Sequence, residues 1–235
     1  MSMPSLLAGR LSLPVIASPL FIISNPALVI AQCRAGVVGS FPSLNARPAE
    51  QLDDWLAEIA AACAGTEAAP FAVNLIVHRS NDRLEHDLAR VVAHRVPIVI
   101  TSLGARPEVN EAVHSYGGIV LHDIISDRFA RKAIEKGADG LIAVAAGAGG
   151  HAGAVSPFAL VAEIRAWFDG SLVLSGAIAT GAAVLAAEAM GADLAYVGSA
   201  FIATEEARAD PRHKQGIVDG RAEDIVYTNL ITGVH

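Results

Sequence analysis

The chain has 235 residues, of which 53% are hydrophobic and 17% are charged, and its formal net charge at pH 7 is −7. This length allows one large domain or two small ones, and the apolar composition is typical of folds whose strands are buried on both faces. The negative charge and the aromatic content of only 5% argue against a nucleic-acid-binding protein, which needs a basic surface and stacking rings.

The cysteines and the apolar N-terminal region bear on the compartment. Cys33 and Cys63 form no C-x-x-C motif, which favours reduced thiols in a cytoplasmic protein over a disulfide scaffold or a zinc site. Residues 11–33 carry no charge and are long enough to cross a bilayer, but three prolines interrupt them. We therefore expect a strand, a loop and a helix in this region, with neither a membrane span nor a secretory signal.

Short β-branched segments alternate with helical patterns along the chain. The predicted strands are residues 14–18, 36–40, 71–75, 97–101, 118–122, 140–144, 171–175 and 194–198. The predicted helices are residues 25–35, 49–64, 82–94, 107–115, 127–136, 157–167 and 181–190, which have apolar residues at three- and four-residue spacing. Eight strand–helix units predict an α/β fold, the closed (β/α)8 TIM barrel, with an open doubly wound sheet as the alternative. The barrel is favoured because no dinucleotide-binding fingerprint follows the first strand.

The predicted barrel takes up residues 1–205, and residues 206–235 are assigned to the start of a C-terminal helical extension. The chain turns apolar again after residue 224 and then stops, so we expect the extension to be incomplete. Within the barrel, Asp127 is expected to cap the helix that follows it. The phrase Gly-Ala-Asp occurs at residues 137–139 and 191–193, each time between a helix and a strand, and we interpret it as one structural connection used twice.

A glycine-rich loop follows the predicted sixth strand. Residues 145–153 read AAGAGGHAG, and so many glycines let another molecule lie directly against the backbone. His151 adds one imidazole, which can transfer a proton near neutral pH. A surface histidine in a flexible loop is the alternative interpretation. The sequence therefore predicts a small-molecule site in which His151 is the proton-transfer residue.

The ends of the other predicted strands are also small or polar, which matters because TIM barrels build their active sites at the carboxyl ends of the strands. The residues at these ends are Ser18, Asn74, Ser102, His122, Asp123, Gly176 and Gly198. The turns after strands seven and eight contain no Lys or Arg, so a phosphate there would be held by backbone N–H groups and a helix N-terminus, although tight turns alone also account for the glycines. The position of His122 is as consistent with a buried structural histidine as with a ligand contact. The sequence allows two roles for Asp123, which are orienting an imidazole and binding a cofactor hydroxyl.

Four motifs taken together resemble the nitronate monooxygenases, also called 2-nitropropane dioxygenases. They are residues 71–75 (FAVNL), 149–153 (GGHAG), 174–179 (LSGAIA) and 196–199 (YVGS), and residues 13–20 are similar to the family's first strand. The resemblance implies an FMN-dependent TIM barrel that oxidises alkyl nitronates, or nitroalkanes, with O2 to a carbonyl compound and nitrite. It implies a small-molecule substrate and is compatible with a homodimer. The sequence itself has no H-x-x-x-H or HExxH pattern, and with its charge and interrupted apolar region it predicts no metal, no nucleic acid and no membrane.

The resemblance also assigns roles to individual residues. It makes His151 the catalytic residue. The predicted cofactor-binding residues are Ala17, Ser18, Asn74, His122, Gly149, Gly150, Ser175, Gly176, Tyr196, Val197, Gly198 and Ser199. Among them, Asn74 and Gly149 correspond to flavin contacts, whereas Gly176 and residues 196–199 correspond to the site of the FMN phosphate. Three departures from the family pattern indicate a divergent subgroup and leave the substrate open: Val144 replaces a glutamine, Gly147 an acidic residue and Asp123 a lysine.

Two other functions are compatible with these residues. One is an NAD(P)H-dependent flavin reductase on the same barrel, acting on a quinone or an enoyl thioester. The other is a non-catalytic barrel that binds a flavin or a phosphate, against which the placement of His151 argues. The fold alone does not choose among them.

Overall fold

The computed structural model describes residues 3–150, 153–228 and 230. Its strands are β1 (Val15–Ala17), β2 (Ser40–Pro42), β3 (Ala72–Ile76), β4 (Ile98–Ser102), β5 (Ile119–Ile124), β6 (Gly140–Val144), β7 (Ser171–Ser175) and β8 (Leu194–Val197). Its α-helices are α1 (Pro26–Arg34), α2 (Gln51–Cys63), α3 (Leu84–Ala93), α4 (Pro107–His114), α5 (Asp127–Glu135), α6 (Pro157–Arg165), α7 (Gly181–Met190), α8 (Ser199–Ile202) and α9 (Pro211–Asp219). Strands and helices alternate as predicted.

All eight strands run parallel in one sheet, in the order β1-β8-β7-β6-β5-β4-β3-β2. The sheet closes because Val38, just before β2, pairs with Ile16 of β1. Ala17 N donates to Val38 O at 2.8 Å, whereas from Ser40 onward the same segment pairs with β3. The change of partner explains why the second strand begins at Ser40 rather than at the predicted residue 36. Closure confirms the TIM barrel and excludes the open sheet.

Alternate strand residues fill the inside of the barrel. The interior apolar cluster includes Ile16, Val38, Ala72, Ile98, Ile100, Leu121, Ile142, Val173, Leu194 and Tyr196, and Leu7 joins it from the N-terminal segment. The intervening residues, such as Val99, Val120 and Leu141, pack in two further clusters with the helices. This period of two decides which side chains point into the barrel.

The two Gly-Ala-Asp connections have the same structural role. Asp139 N donates to Val120 O at 2.9 Å, and the Asp139 carboxylate accepts from Val120 N at 2.7 Å. Asp193 repeats this exchange with Leu172, at 2.7 and 2.9 Å. Each aspartate therefore ties the start of its strand to the start of the preceding strand, which confirms the structural interpretation of the repeat.

A basic side chain from an earlier helix binds each of these aspartates. Asp139 Oδ2 lies 2.8 Å from His114 Nε2 of α4. Asp193 Oδ2 accepts from Arg165 of α6 at 2.5 Å, and the guanidinium also donates to the carbonyls of Phe168, Gly170 and Gly191 at 2.7–3.0 Å. Because the Asp193 side chain is only 1% exposed, the guanidinium of Arg165 lies against a buried negative charge.

The predicted cap at Asp127 is wrong. Ser126 is the N-cap residue of α5, without a side-chain hydrogen bond, and Asp127 is the first helical residue. The Asp127 carboxylate instead accepts from Arg131 Nε at 2.8 Å and from Trp167 Nε1 at 2.5 Å. Partners one turn along α5 and just beyond α6 thus compete successfully with the backbone for this side chain.

The predicted C-terminal extension contains α9, whose N-cap is Asp210. Among the helices of the described segments, none combines the length and the apolar character that a membrane crossing requires.

Candidate active site

Three polar side chains form a hydrogen-bonded row on the inner face of the barrel, near the carboxyl ends of β3, β4 and β5. Asn74 Nδ2 donates to Ser102 Oγ at 2.8 Å, and Ser102 Oγ donates to Asp123 Oδ2 at 2.5 Å. Asn74 Nδ2 also donates to Ile100 O at 3.1 Å. Neighbouring parallel strands in register bring these distant residues together. We call Asn74, Ser102 and Asp123 the inner polar row.

The direction of these hydrogen bonds fixes where Asp123 can carry a proton. Since Oδ2 accepts from Ser102, the proton of the neutral carboxyl belongs on Oδ1. Asp123 Oδ1 is buried and has no hydrogen-bond partner within residues 3–150, 153–228 and 230. Burial raises the pKa of Asp123 from 3.8 to about 6, against the opposing effect of the Ser102 hydrogen bond. Asp123 can therefore gain or lose a proton close to neutral pH.

Tyr196 of β8 supplies a second buried polar atom on the inner face. Its side chain belongs to the interior cluster, it is 7% exposed, and its hydroxyl has no hydrogen-bond partner in the described part of the chain. Burial, followed by the negative charge of Asp123, raises the pKa of Tyr196 well above its usual value. The hydroxyl therefore stays protonated and able to donate.

His122 lies on the opposite face of β5 from Asp123. Because Leu121 belongs to the interior cluster, the alternation turns His122 toward the helices. Its Nδ1 lies 2.6 Å from Thr101 Oγ1, and burial, with a smaller contribution from Lys136, lowers its pKa to about 4. The structure therefore does not bring His122, a predicted cofactor contact, together with the inner polar row. Its burial and its hydrogen bond to Thr101 are those of a neutral structural histidine.

The glycine-rich loop after β6 is tied to the turn after β7. Ala177 N donates to Gly147 O at 2.9 Å. Gly176 has a φ of +140°, and a Cβ on it would lie 2.8 Å from Ala146 O, so a larger residue would force the two segments apart. A Cβ on Gly149 would meet nothing within 4 Å, and both Gly149 and Gly150 are exposed. The loop therefore presents bare backbone to the space above it.

His151, the predicted catalytic residue, lies outside the described residues. The described part of the loop ends at Gly150 and resumes at Gly153. Gly153 is tightly enclosed, since a Cβ there would lie only 2.3 Å from Val144 O.

The ends of β1 and β8 also meet. Ser18 N donates to Val197 O at 2.8 Å, and a Cβ on Gly198 would lie 3.7 Å from both Ser18 Cβ and Ser18 Oγ. The Val197 side chain packs in a helix-side cluster, so that only its backbone is available to a ligand. Ser199 begins α8 directly after Gly198. At the same end, Ala17 O accepts from Ser40 Oγ at 2.5 Å.

The residues present fit a flavin nucleotide. The eight described strands contain no Lys or Arg, and neither do the turns at Gly176 and Gly198. The groups that could hold a phosphate at these two turns are therefore backbone N–H groups and the start of α7, which Thr180 caps. The bare backbone at Gly149 is a surface that a planar ring can cover. The unpartnered Asp123 Oδ1 and Tyr196 hydroxyl call for a polar ligand. In the described ranges, no cluster of His, Cys, Asp and Glu is arranged to hold a metal ion.

Sequence reasoning missed two features of this site. It considered Ser102 only as a polar strand end and Tyr196 only as part of a phosphate turn, although the alternation in Leu194–Val197 already directs Tyr196 inward with Leu194. Backbone strain was also not foreseen. Ile22, Leu103 and Ala177 have φ values of +68°, +64° and +51°, and they lie in the loops after β1, β4 and β7. Such strain is concentrated at functional sites.

Comparisons with known proteins show the family and the fold of the chain. The sequence model of a family described as nitronate monooxygenase matches residues 81–235. The Mycobacterium tuberculosis protein Rv1533 is 32% identical over 143 residues, which are 60% of this chain and 38% of that protein. The structure of FabK from Thermotoga maritima has a TM-score of 0.85 at 27% identity, covering 95% of this chain and 69% of its own. Nitroalkane oxidase from Streptomyces ansochromogenes has a TM-score of 0.81 at 25% identity, covering 90% and 72%. The chain thus spans only part of the length of each relative.

Proposed function

Because the chain belongs to the nitronate monooxygenase family of flavin oxidoreductases, we propose that it binds FMN and oxidises alkyl nitronates, or nitroalkanes, with O2. The products are a carbonyl compound and nitrite. The observation that carries the proposal is the exposed backbone at Gly149, on a loop tied to the β7 turn and next to the strands that bear the inner polar row. A loop of this kind leaves room for a flavin ring beside residues that can bind a small polar substrate.

The residues of this chain divide into three roles in the proposed reaction. The backbone around Gly176, Gly198 and Ser199 holds the phosphate, and Asn74 and Gly149 contact the ring. When bound, FMN supplies the electron transfer and the reactivity toward O2. His151 binds the anionic nitronate when protonated, or removes the α-proton of a neutral nitroalkane when neutral. The protein itself contributes orientation, electrostatics and proton transfer.

Anaerobic mixing of the purified, FMN-loaded protein tests the proposal. We expect the visible flavin absorption to bleach on addition of ethyl nitronate and to be unaffected by NADH. In air, the same protein should release nitrite from the nitronate. If NADH bleaches the flavin and the nitronate does not, the proposal is wrong and the reductase is correct. Bleaching by neither reagent would contradict both enzymes.

The second candidate is an NAD(P)H-dependent reductase of quinones or enoyl thioesters. It is supported by the similarity to FabK, an enoyl reductase, whose two structures have TM-scores of 0.85 and 0.81, beside 0.81 for nitroalkane oxidase. This candidate places the same flavin on the same barrel, with a hydride donor in place of the nitronate. Oxidation of NADH or NADPH by an enoyl thioester, catalysed at the bound flavin, would establish it.

Gly149→Ala is expected to weaken flavin binding without weakening the fold. A methyl group at this position meets no protein atom within 4 Å, so the thermal unfolding midpoint of the flavin-free protein should not change. The same methyl group occupies the surface assigned to the ring, so we expect the Kd for FMN to rise at least about tenfold, as for a lost contact of ~1.4 kcal/mol. Flavin fluorescence quenching measures this Kd.

Gly216→Ala on α9 is the matched control, because its added methyl group also meets nothing within 4 Å. It should bind FMN as the unmodified protein does and should be slightly more stable, since alanine favours a helix over glycine. Unchanged FMN binding in Gly149→Ala would contradict the placement of the ring.

A further inference from the structure

Two buried polar atoms on the inner face of the barrel are left without partners by the described residues. They are Asp123 Oδ1 on β5 and the hydroxyl oxygen of Tyr196 on β8. The two residues are close enough for the charge of Asp123 to raise the pKa of Tyr196. Buried polar groups are nearly always hydrogen-bonded, and leaving one unmade is costly. Two such atoms in one space indicate a ligand that supplies the missing hydrogen bonds.

The surroundings of Asp123 contain little to compensate a negative charge. From β4 and β3 it faces Ser102 and Asn74, which are neutral, and the interior residue that pairs beside it on β6 is Ile142. Tyr196 is the titratable group that faces it from β8. His122 is turned toward the helices, and the described strands bear no Lys or Arg. These surroundings penalise the ionised form of Asp123 and raise its pKa to about 6.

We propose that the neutral carboxyl of Asp123 and the hydroxyl of Tyr196 form a pair of hydrogen-bond donors for a ligand oxygen that carries or gains negative charge. Because Ser102 donates to Oδ2, the carboxyl proton lies on Oδ1, which is the first donor of the pair. The unpartnered hydroxyl of Tyr196 is the second donor. A neutral carboxylic acid beside a tyrosine hydroxyl can serve as an oxyanion hole in an apolar site. The oxygen belongs either to the substrate, as in a nitronate, or to the polar edge of the flavin. The proposal rests on the proposed function only in placing substrate and flavin here.

The donor pair has a consequence for pH. An oxyanion is bound by the neutral form of Asp123, so binding takes up a proton whenever the free site is ionised. With a pKa of about 6 for the free carboxyl, affinity for an anion falls as pH rises through that value. Between pH 6 and pH 8 the affinity for the anion is expected to fall roughly 50-fold, because the neutral fraction of Asp123 falls by that factor.

The test measures binding of nitrate, a planar oxyanion, to the FMN-loaded protein between pH 6 and pH 8. We expect the roughly 50-fold loss of affinity in the unmodified protein. Asp123→Asn keeps an acceptor for Ser102 and places an amide donor where Oδ1–H would be, so its affinity should be independent of pH and should exceed the unmodified protein's at pH 8. Tyr196→Phe should bind nitrate about tenfold more weakly at every pH. Asp54→Asn, which removes an exposed carboxylate on α2, is the matched control and should behave as the unmodified protein.

A second measurement distinguishes the two sources of the oxygen. If the oxygen belongs to the flavin, nitrate binding is the same in all variants, whereas Asp123→Asn changes the pH dependence of the reduction potential of bound FMN. Neither measurement requires turnover, so a failure of the proposed reaction leaves both readable. Asp123→Leu, which cannot donate a hydrogen bond, should lose the affinity for nitrate that Asp123→Asn retains.

The donor pair is overturned if neither nitrate binding nor the flavin potential responds to Asp123→Asn and Tyr196→Phe. It is also overturned if Asp123→Asn keeps the full pH dependence of nitrate binding, because the titrating group would then be another residue, such as His151.

Discussion

Replacing His151 with asparagine is expected to leave a folded, yellow protein that has lost most of its turnover with nitroalkanes and nitronates. A positioned acid or base contributes about 10²- to 10⁴-fold to a rate, and we expect a loss of kcat/KM within that range. Asparagine keeps a similar size and some hydrogen bonding but does not titrate, so FMN content should not change. Nitrite release and oxygen uptake, measured from pH 6 to pH 9 with nitroethane and with ethyl nitronate, give the result.

The comparison of the two substrates identifies the proton step. Removal of the α-proton is needed only for nitroethane, so a larger loss with nitroethane than with ethyl nitronate assigns the base to His151. His213→Asn, an exposed histidine on α9, serves as control and should keep full activity. Full activity of His151→Asn with both substrates would refute the catalytic role that the family resemblance gives this residue.

Arg165→Met should lower the free energy of unfolding by about 3–5 kcal/mol, the usual cost of breaking a buried ion pair by removing one of its members. Arg165 donates to Asp193 and to three backbone carbonyls, and the Asp193 side chain is 1% exposed. Methionine fills much of the same volume, so the loss reports the charge and the hydrogen bonds more than packing. Urea denaturation followed by circular dichroism measures it.

The surface pair of Arg212 and Asp210 provides the contrast. Arg212 is 93% exposed, and Arg212→Ala should leave stability unchanged. Adding Asp193→Asn to Arg165→Met should recover part of the loss, since the buried charge is then removed while an acceptor for Leu172 N remains. A loss below about 1 kcal/mol in Arg165→Met would show that this pair contributes no more than an exposed ion pair, which would contradict the prediction.

The order of strands and helices follows from the sequence because hydrophobic periodicity is a local property. The boundaries depend on partners that periodicity does not contain. Val38 pairs with Ile16 while Ser40 pairs with Ala72, so the second strand is divided between two neighbours and begins later than its β-branched residues suggest. Asp127 illustrates the same limit. Its position predicts a helix cap, but its carboxylate accepts hydrogen bonds from Arg131 and Trp167 instead of from the backbone.

The site was predictable to the extent that it depends on strand ends. Asn74 and Asp123 were recognised as polar residues at the barrel mouth, and the structure joins them through Ser102. That junction depends on the register between three strands, which no local pattern specifies. The orientation of His122, by contrast, was available from the alternation in β5, because a buried Leu121 inside the barrel places its neighbour outside.

The paired aspartates Asp139 and Asp193 divide half of the barrel into two modules of one plan. Each module runs from a helix with a basic residue, through a strand, a helix and a Gly-Ala-Asp connection, to a second strand: α4 to β6 in the first and α6 to β8 in the second. The glycine-rich loop is the stretch between them, since it follows β6 and precedes α6. The strand-to-strand ties inside each module therefore do not depend on the exposed part of this loop at Gly149 and Gly150. A substitution at Gly149 or Gly150 can thus alter the site while the scaffold of both modules is kept.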